Sequence, residues 1–115
     1  MGTLSTVARR SSFEALRRLR AFEKHNLPFL RTCEDRELTC EVGYRQALGR
    51  PLTIKEAFLL DIGSVATVQR QLRRLRHDGA IAQVRSKEDA RVVNLTLTPR
   101  ASRAFAAYGR MIHPR

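Results

Sequence analysis

Apolar residues recur every three or four positions near the start of the chain, a spacing typical of one face of an amphipathic helix. These residues are Phe13, Leu16, Leu19 and Phe22. The pattern predicts a first helix over about 11–25, capped by Ser11 and Ser12. Pro28 lies just beyond its end, where proline commonly stops a helix. Residues 1–10 lack such a pattern and are expected to form a flexible basic arm.

The segment from Thr32 to about Leu48 has two interpretations. Its apolar and weakly polar residues alternate as in a strand, at Leu38, Cys40, Val42 and Tyr44. The residues around them, however, are Glu, Arg, Gln and Ala, which favour helix. Thr32 and Asp35 also stand where the first turn of a helix would begin. We therefore interpret this segment as a second helix.

Two short helical patterns follow the break at Gly49-Arg50-Pro51. Thr53 and Glu56 have the spacing of a capping box, which predicts a short helix through Leu60. After a tight turn at Ile62-Gly63-Ser64, Ser64 is placed to cap a longer helix to about His77. Gly79 then supplies the left-handed conformation that ends many helices.

Beyond Gly79 the period changes to two, which predicts strands over residues 81–85 and 91–97 joined by a polar turn. Thr98-Pro99 then begins a C-terminal helix of about 99–112, since proline is well tolerated at the first helical position. Two helices joined by a tight turn and followed by a hairpin make a winged helix-turn-helix. The predicted fold is mostly α with a small β-hairpin wing (about 81–98), with helices flanking at both ends in a single domain of 11–115.

The helix over 65–77 has two contrasting faces. At about 100° per residue, its apolar side predicts packing of Val65, Val68, Leu72 and Leu75 on the core. The opposite side carries small residues first and basic residues later: Ala66, Thr67, Arg70, Arg73, Arg74 and His77. Small residues let a helix settle into the major groove of DNA, and arginines reach guanine edges or phosphates. Arg70, in the middle of this face, is the candidate for a bidentate contact with guanine, and Thr67 for a thymine methyl or a phosphate.

The predicted hairpin is a second candidate DNA contact. Arg85, Lys87 and Arg91 surround its tip, where they could follow phosphates or enter the minor groove. The acidic Glu88 and Asp89 share the tip, and we expect Asp89 to hold Arg91 in place. An ordinary solvent-exposed turn is the alternative interpretation.

Charge supports an anionic partner. The chain has 22 basic and 11 acidic residues, a net charge of +11, and the second quarter is the one part where acids outnumber bases. Such a field attracts polyanions, most often nucleic acid and next an acidic membrane surface. From Val65 to His77 there are four arginines and no carboxylate, whereas a merely solvated helix usually mixes both signs.

Other classes of function find little support in the sequence. No run approaches the ~20 apolar residues of a membrane helix, and Met1 to Arg10 holds no signal-peptide block, so we expect a cytoplasmic, nucleoid-associated protein. The sequence has no Gly-rich phosphate loop or nucleophile elbow, and its histidines lack metal-ligand spacing. We expect no enzyme activity, cofactor or metal. Cys33 and Cys40 are interpreted as small core residues, with redox pairing across a dimer as the alternative.

The stretch from Leu52 to Ser102 resembles the winged helix of the MarR-type bacterial transcription regulators. The matching motifs are Leu52-Thr53, Leu-x-x-Leu-Arg-x-x-Gly-x-Ile from Leu72 to Ile81, and Asp-x-Arg-Val-Val-x-Leu-x-Leu-Thr-Pro from Asp89 to Pro99. The resemblance implies that Arg91 enters the minor groove, that Asp89 orients it, and that Ser64, Thr67 and Arg70 lie close to DNA. Thr53, before the short helix, is a further candidate DNA-binding residue. Members of the family carry two long C-terminal helices that dimerise with the first helix, whereas this chain has room for one after Pro99.

These observations predict a sequence-specific, double-stranded DNA-binding transcriptional regulator, dimeric through its terminal helices. Small-molecule effectors are left open. The alternatives are a winged-helix adaptor for an acidic protein or RNA, a replication-initiator type of DNA-binding protein, and a peripheral membrane protein using the Arg-rich first helix.

Overall fold

The computed structural model describes residues 6–113 and has the predicted winged-helix architecture. The elements in chain order are α1 (Thr6–Asn26), α2 (Cys33–Ala47), β1 (Leu52–Thr53), α3 (Ile54–Phe58), α4 (Val65–His77), β2 (Ile81–Arg85), β3 (Val93–Leu97) and α5 (Pro99–Ile112). The mostly helical class with a small sheet is therefore confirmed. Within the described residues, α3 and α4 form the helix-turn-helix, and β2 and β3 form the wing.

The first helix begins earlier than the sequence predicts. It starts at Thr6, so Ser11 and Ser12 lie inside the helix and are not its caps. Residues 6–10 belong to this helix and not to a flexible arm, whereas residues 1–5 lie outside the described residues. The physical reason is that Ala8, Arg9 and Arg10 favour helix, and serine on an exposed helix face costs little.

The ambiguous second segment is a helix. Thr32 and Asp35 form a complete capping box, each side chain accepting a hydrogen bond from the other residue's backbone N–H. Leu38 and Val42, four residues apart, are both fully buried, whereas Cys40 and Tyr44 are exposed. A spacing of four between buried residues fits a helix and excludes the strand interpretation.

The wing belongs to an antiparallel sheet with strand order β1-β3-β2. Strands β2 and β3 pair from Ile81 opposite Leu97 to Arg85 opposite Val93. The two-residue strand β1, too short to show a period in the sequence, pairs Leu52 with Leu95. Both leucines are fully buried, so the root of the wing is fixed to the core while its tip extends away.

The core lies between α2, α4 and the sheet. Its largest fully buried side chains are Leu27, Leu38, Leu52, Leu75, Ile81 and Leu95, with Val42 and Val68 beside them. Burial of this apolar surface is the main term that stabilises the fold. Because α4 contributes to the core along one side, its other side is held facing solvent.

Helix α1 projects from this body. The radius of gyration is 16.7 Å, whereas a compact chain of about 100 residues has a value near 13 Å. Along α1, Phe13 is 63% exposed and Leu16 is 51% exposed. Near its C-terminal end, Phe22 packs edge-on against Tyr108 of α5, with ring centroids 5.6 Å apart. In residues 6–113 there is no helix long and apolar enough to cross a membrane.

Candidate nucleic-acid interface

Helix α4 packs much as its apolar pattern predicts, with two exceptions. Val68, Leu72 and Leu75 are buried, but Val65 is 51% exposed because it is the first residue of the helix and extends past the edge of the core. Gln71, which the apolar pattern does not include, is buried with the three apolar residues. The face opposite these residues is open to solvent and exposes Ala66, Arg70, Arg73 and His77.

The start of α4 holds Arg70 through a short chain of side chains. Ser64 caps the helix by accepting a hydrogen bond from the backbone N–H of Thr67 at 3.2 Å. The hydroxyls of Ser64 and Thr67 lie 3.0 Å apart, and Arg70 Nη2 donates to Thr67 Oγ1 at 3.3 Å. Ser64 and Thr67 therefore support the orientation of Arg70, in addition to facing outward themselves.

Gly63 permits the tight approach of the turn to this chain. A Cβ atom at position 63 would come within 3.1 Å of Thr67 Cγ2. That distance is shorter than ordinary van der Waals contact, so a larger residue at 63 would press on the side chain that supports Arg70.

Arg74, a predicted DNA contact, also forms an ion pair within the protein. Its Nη2 lies 2.6 Å from Oδ1 of Asp35, whose side chain is fully buried. Burial raises the pKa of the Asp35 carboxyl, but hydrogen bonds from Arg74 and from the Arg31 backbone outweigh it and hold this pKa below its ordinary value. The positive charge of Arg74 is therefore balanced by Asp35. The position of Arg74 on the helical wheel gives no sign of this ion pair.

Arg31, in the linker before α2, joins the basic face from outside the helix. With Arg70, Arg73, Arg74 and His77 it lines a shallow groove of about 460 Å³. Its Nη2 donates to Asp78 Oδ2 at 3.2 Å, which ties the linker to the C-terminal end of α4. Arg31 is not predictable from sequence as a site residue, because only the folded chain brings it to α4. Gln69 is also absent from the predicted site, although it is an exposed α4 residue whose amide could read an adenine edge.

At the wing, the expected contact between Asp89 and Arg91 forms. Asp89 Oδ1 accepts from the backbone N–H and from Nε of Arg91 at 3.0 and 3.2 Å, and Oδ2 accepts from Nη2 at 3.3 Å. These hydrogen bonds lower the pKa of the Asp89 carboxyl. The Arg91 side chain is nevertheless 91% exposed, so its direction is set while its outer surface stays accessible.

The other wing cations differ in how firmly they are held. Arg85 Nη1 donates to the carbonyl oxygen of Ala90 at 2.6 Å and closes the turn between the strands. Lys87 is exposed at the tip. Glu88 is held by Ser86, whose hydroxyl donates to Glu88 Oε2 at 2.8 Å. Arg85 is therefore partly a structural residue of the wing, and Lys87 is its outermost cation.

Thr53, another predicted site residue, uses its hydroxyl and its backbone N–H in the capping box of α3. Its hydroxyl accepts from the Glu56 backbone N–H at 3.1 Å, and Glu56 accepts from the Thr53 N–H at 2.9 Å. These contacts lower the pKa of the Glu56 carboxyl. Thr53 also lines a cleft of about 550 Å³ with Arg91 and Asp89, so the cap of α3 and the wing arginine face one space.

A polar junction joins α1 to the body. Tyr108 of α5 donates its hydroxyl to Glu23 Oε2 at 2.6 Å, and Arg36 of α2 pairs with the other carboxylate oxygen of Glu23. Burial and the hydrogen bond to Glu23 raise the pKa of Tyr108 to about 12. Three helices therefore meet at one carboxylate.

In the described residues 6–113 no three His, Cys, Asp or Glu side chains cluster as metal ligands do. Cys33 and Cys40 are both exposed free thiols, which corrects their interpretation as core residues. Because partial desolvation disfavours the thiolate, the pKa of Cys40 is raised.

Comparison with known proteins finds no matching family model and no matching curated protein. Solved structures do match. The S. aureus MepR–DNA complex superposes with a TM-score of 0.73 at 20% identity, covering 95% of this chain and 84% of that one. S. aureus MepR bound to ethidium bromide gives a TM-score of 0.78 at 20% identity, with 97% and 76% covered.

MarR itself gives a TM-score of 0.59 at 19% identity, covering 95% of this chain and 77% of that one. The match extends over nearly the whole chain and so includes α1 and α5, which the sequence resemblance over residues 52–102 left out. The architecture of α4, the wing and the flanking helices is thus the winged-helix fold of the MarR-type regulators.

Proposed function

We propose that this protein is a sequence-specific, double-stranded DNA-binding transcriptional regulator and not an enzyme. The observation that carries the proposal is the outward face of α4. It is exposed, carries Arg70 and Arg73 with small residues ahead of them, and stands beside a basic wing anchored to the same core. A rigid helix with this face fits the major groove.

The charges of α4 favour a polyanion over solvent alone. Its four arginines are Arg70, Arg73, Arg74 and Arg76, and one of them, Arg74, is neutralised by Asp35. The other three are exposed on a helix with no carboxylate, where like charges repel. A phosphate backbone would relieve this repulsion and release counterions.

The interface divides into reading and positioning contacts. Arg70, supported by Thr67 and Ser64, is proposed to read a guanine edge, with Ala66, Gln69 and Arg73 near the bases.

Arg31 and His77 are proposed to meet phosphates, since phosphate contacts set the register of a protein on DNA. Arg91, Lys87 and Arg85 are proposed to lie at the adjacent minor groove or its phosphates.

The solved MepR structures support this proposal, because one of them is a DNA complex of a protein with the same fold. We further propose a cytoplasmic homodimer. Helix α1 and the end of α5 expose Phe13, Leu16, Met111 and Ile112, and a second copy would cover this apolar surface. Two copies would present two α4 helices to half-sites about one DNA turn apart.

Substitution of Arg70 tests the reading contact. In Arg70→Ala, affinity for a duplex selected from a random pool should fall by about 1–3 kcal/mol, with relaxed preference at one base position. Arg76→Ala is the matched control, because it removes the same charge from the same helix about 120° away. Titrations by fluorescence anisotropy measure both. Equal effects of the two substitutions, or unchanged base preference in Arg70→Ala, would contradict the assignment of α4.

A further inference from the structure

Asp35 stands apart from the other carboxylates in the described residues 6–113, because it is the one that is fully buried. It occupies the third position of α2. Its Oδ2 accepts from the backbone N–H groups of Arg31 and Thr32 at 3.0 and 3.2 Å. Its Oδ1 faces α4, where it accepts from Arg74 Nη2 at 2.6 Å and lies 3.5 Å from Gln71 Nε2. One carboxylate thus joins the first turn of α2 to the middle of α4.

The capping box of α3 shows what capping alone requires. Glu56 has the same role there, bonding the Thr53 N–H, yet it is exposed and no arginine bonds to it in the described part of the chain. Burial and an arginine partner are therefore not needed for a cap. In α2 they are additional features, and both are directed at α4.

The contacts of Asp35 constrain how α4 can turn about its own axis. The apolar residues Val68, Leu72 and Leu75 hold the helix by contacts that have little directional preference. The hydrogen bond from Arg74 is directional and charge-assisted, and so fixes an angle. Gln71 and Arg74 lie about 100° and 40° around the helix from Arg70.

A small rotation would be enough to spoil base reading. For atoms about 6 Å from the helix axis, a turn of about 20° moves them by about 2 Å. Paired hydrogen bonds to a base edge tolerate much less, because binding sites need their groups held to within about 0.5 Å. The directional bond at Asp35 therefore acts at the accuracy that base reading demands.

We infer that Asp35 is a positioning residue for DNA reading: its carboxylate fixes the rotation of α4 and thereby the direction in which Arg70 leaves the helix. The inference rests on the proposed DNA-binding function. It assigns Asp35 no contact with DNA. It also gives the buried pair a purpose beyond stability, since buried ion pairs often stabilise a fold no better than apolar residues of similar volume.

The test uses the full chain with two duplexes of equal length, one selected from a random pool by the wild type and one scrambled. Two variants disrupt the charged hydrogen bond between Asp35 and Arg74 in different ways. Asp35→Asn keeps the shape and loses the charge, and the double variant Asp35→Leu with Arg74→Met replaces the ion pair by an apolar contact. Glu56→Gln is the matched control, because it weakens the other capping box and leaves α4 untouched.

Asp35→Asn should lower the ratio of selected to scrambled affinity about tenfold, the size of one lost base contact. Affinity for the scrambled duplex should change by less than about threefold, because phosphate contacts are insensitive to helix rotation on this scale. The double variant also removes the acceptor of the Arg31 and Thr32 backbone N–H groups, so it should unfold at a lower temperature than the wild type. At a temperature where it is fully folded, it should still fail to discriminate. Glu56→Gln should discriminate as the wild type does.

Two results would overturn the inference while leaving the proposed function standing. One is a double variant that discriminates as well as the wild type. The other is an Asp35→Asn variant whose affinities for both duplexes fall together with its folded fraction, as a purely structural role requires. A wild type that does not discriminate at all would contradict the proposed function, and the inference with it.

Discussion

The winged-helix body, residues 27–101, and helix α1 bury their apolar residues to very different extents. In the body, leucines from α2, α4 and the sheet are fully buried against one another, as Leu38, Leu75 and Leu95 show. In α1, Phe13 and Leu16 remain more than half exposed although they follow an equally regular helical spacing. The chain thus covers the apolar side chains of the body itself, whereas it leaves those of α1 exposed to solvent.

The two regions therefore differ in the partner that each one contacts. A body that completes its own core can hold α4 and the wing rigidly, and so leave polar faces free for a duplex. A helix that exposes a regular apolar stripe indicates a protein surface that covers it. Regularity of pattern predicts a helix in both cases, and only the folded chain distinguishes an internal partner from an external one.

The largest expected effect is on the body. Leu75→Ala should lower the free energy of unfolding by about 2–5 kcal/mol, because it removes a fully buried side chain and leaves a cavity. Urea unfolding at several protein concentrations separates this loss from dissociation. Phe13→Ala is the comparison in α1 and should change the stability of the monomer little. Equal losses in the two variants would show that the two regions do not differ as described.

The next effect concerns α1 and a second copy. Leu16→Asp should weaken self-association by at least about 100-fold, close to 3 kcal/mol, since it places a charge in the proposed contact. Sedimentation velocity over a range of concentrations measures this change. Val84→Ser, at an equally exposed apolar residue of the wing, should leave association unchanged. A wild type that is monomeric at all concentrations would rule out the second copy as the cover.

The junction between the two regions should respond to pH. Tyr108→Phe removes the hydrogen bond to Glu23 and should cost about 1.5 kcal/mol near neutral pH. Because the pKa of Tyr108 is raised to about 12 in the folded protein, its contribution is complete below the ordinary value of 10.0 and is lost as pH rises toward 12.

The difference in unfolding free energy between wild type and Tyr108→Phe should therefore shrink between about pH 10 and pH 12. Urea titrations across this range measure it, with Phe retaining the edge-on contact to Phe22. A difference that stays constant with pH would mean that the hydroxyl is not bound to Glu23.

The smallest expected effect compares an arginine of the wing with an arginine near the end of α5 in DNA binding. Arg91→Ala in the wing should weaken all duplexes by about 1 kcal/mol and reduce the salt slope by about 0.9, as for one lost phosphate contact. Arg110→Ala near the end of α5 changes the net charge equally and should leave both quantities unchanged. A similar loss in both variants would indicate attraction by overall charge and not by the wing.

The fold could be predicted largely from local signals. Capping residues at Thr32, Thr53 and Ser64 mark the starts of three helices, and all three caps form as hydrogen bonds in the structure. The predicted start of α1 is wrong, because Ser11 and Ser12 have the residue type of a cap but the residues before them also favour helix. Strand β1 could not be predicted from the sequence, because a strand of two residues is too short to show a period.

The candidate site was predictable only in part. Arg70 and Arg73 lie on the exposed face that the 100° wheel assigns to them, and Asp89 holds Arg91 as its spacing suggests. The wheel could not show that Arg74 turns inward, because its partner Asp35 lies 39 positions earlier in the chain. For the same reason it could not bring Arg31 to the basic face. What local patterns miss are contacts between distant segments.

The exposed face of α4 is proposed to read base sequence, and selection of binding sites from random duplexes tests this claim. Several rounds of binding and sequencing should yield a motif with two-fold symmetry, its halves separated by about one turn of DNA. Recovery of a pool with no enriched motif, despite salt-sensitive binding, would contradict the claim.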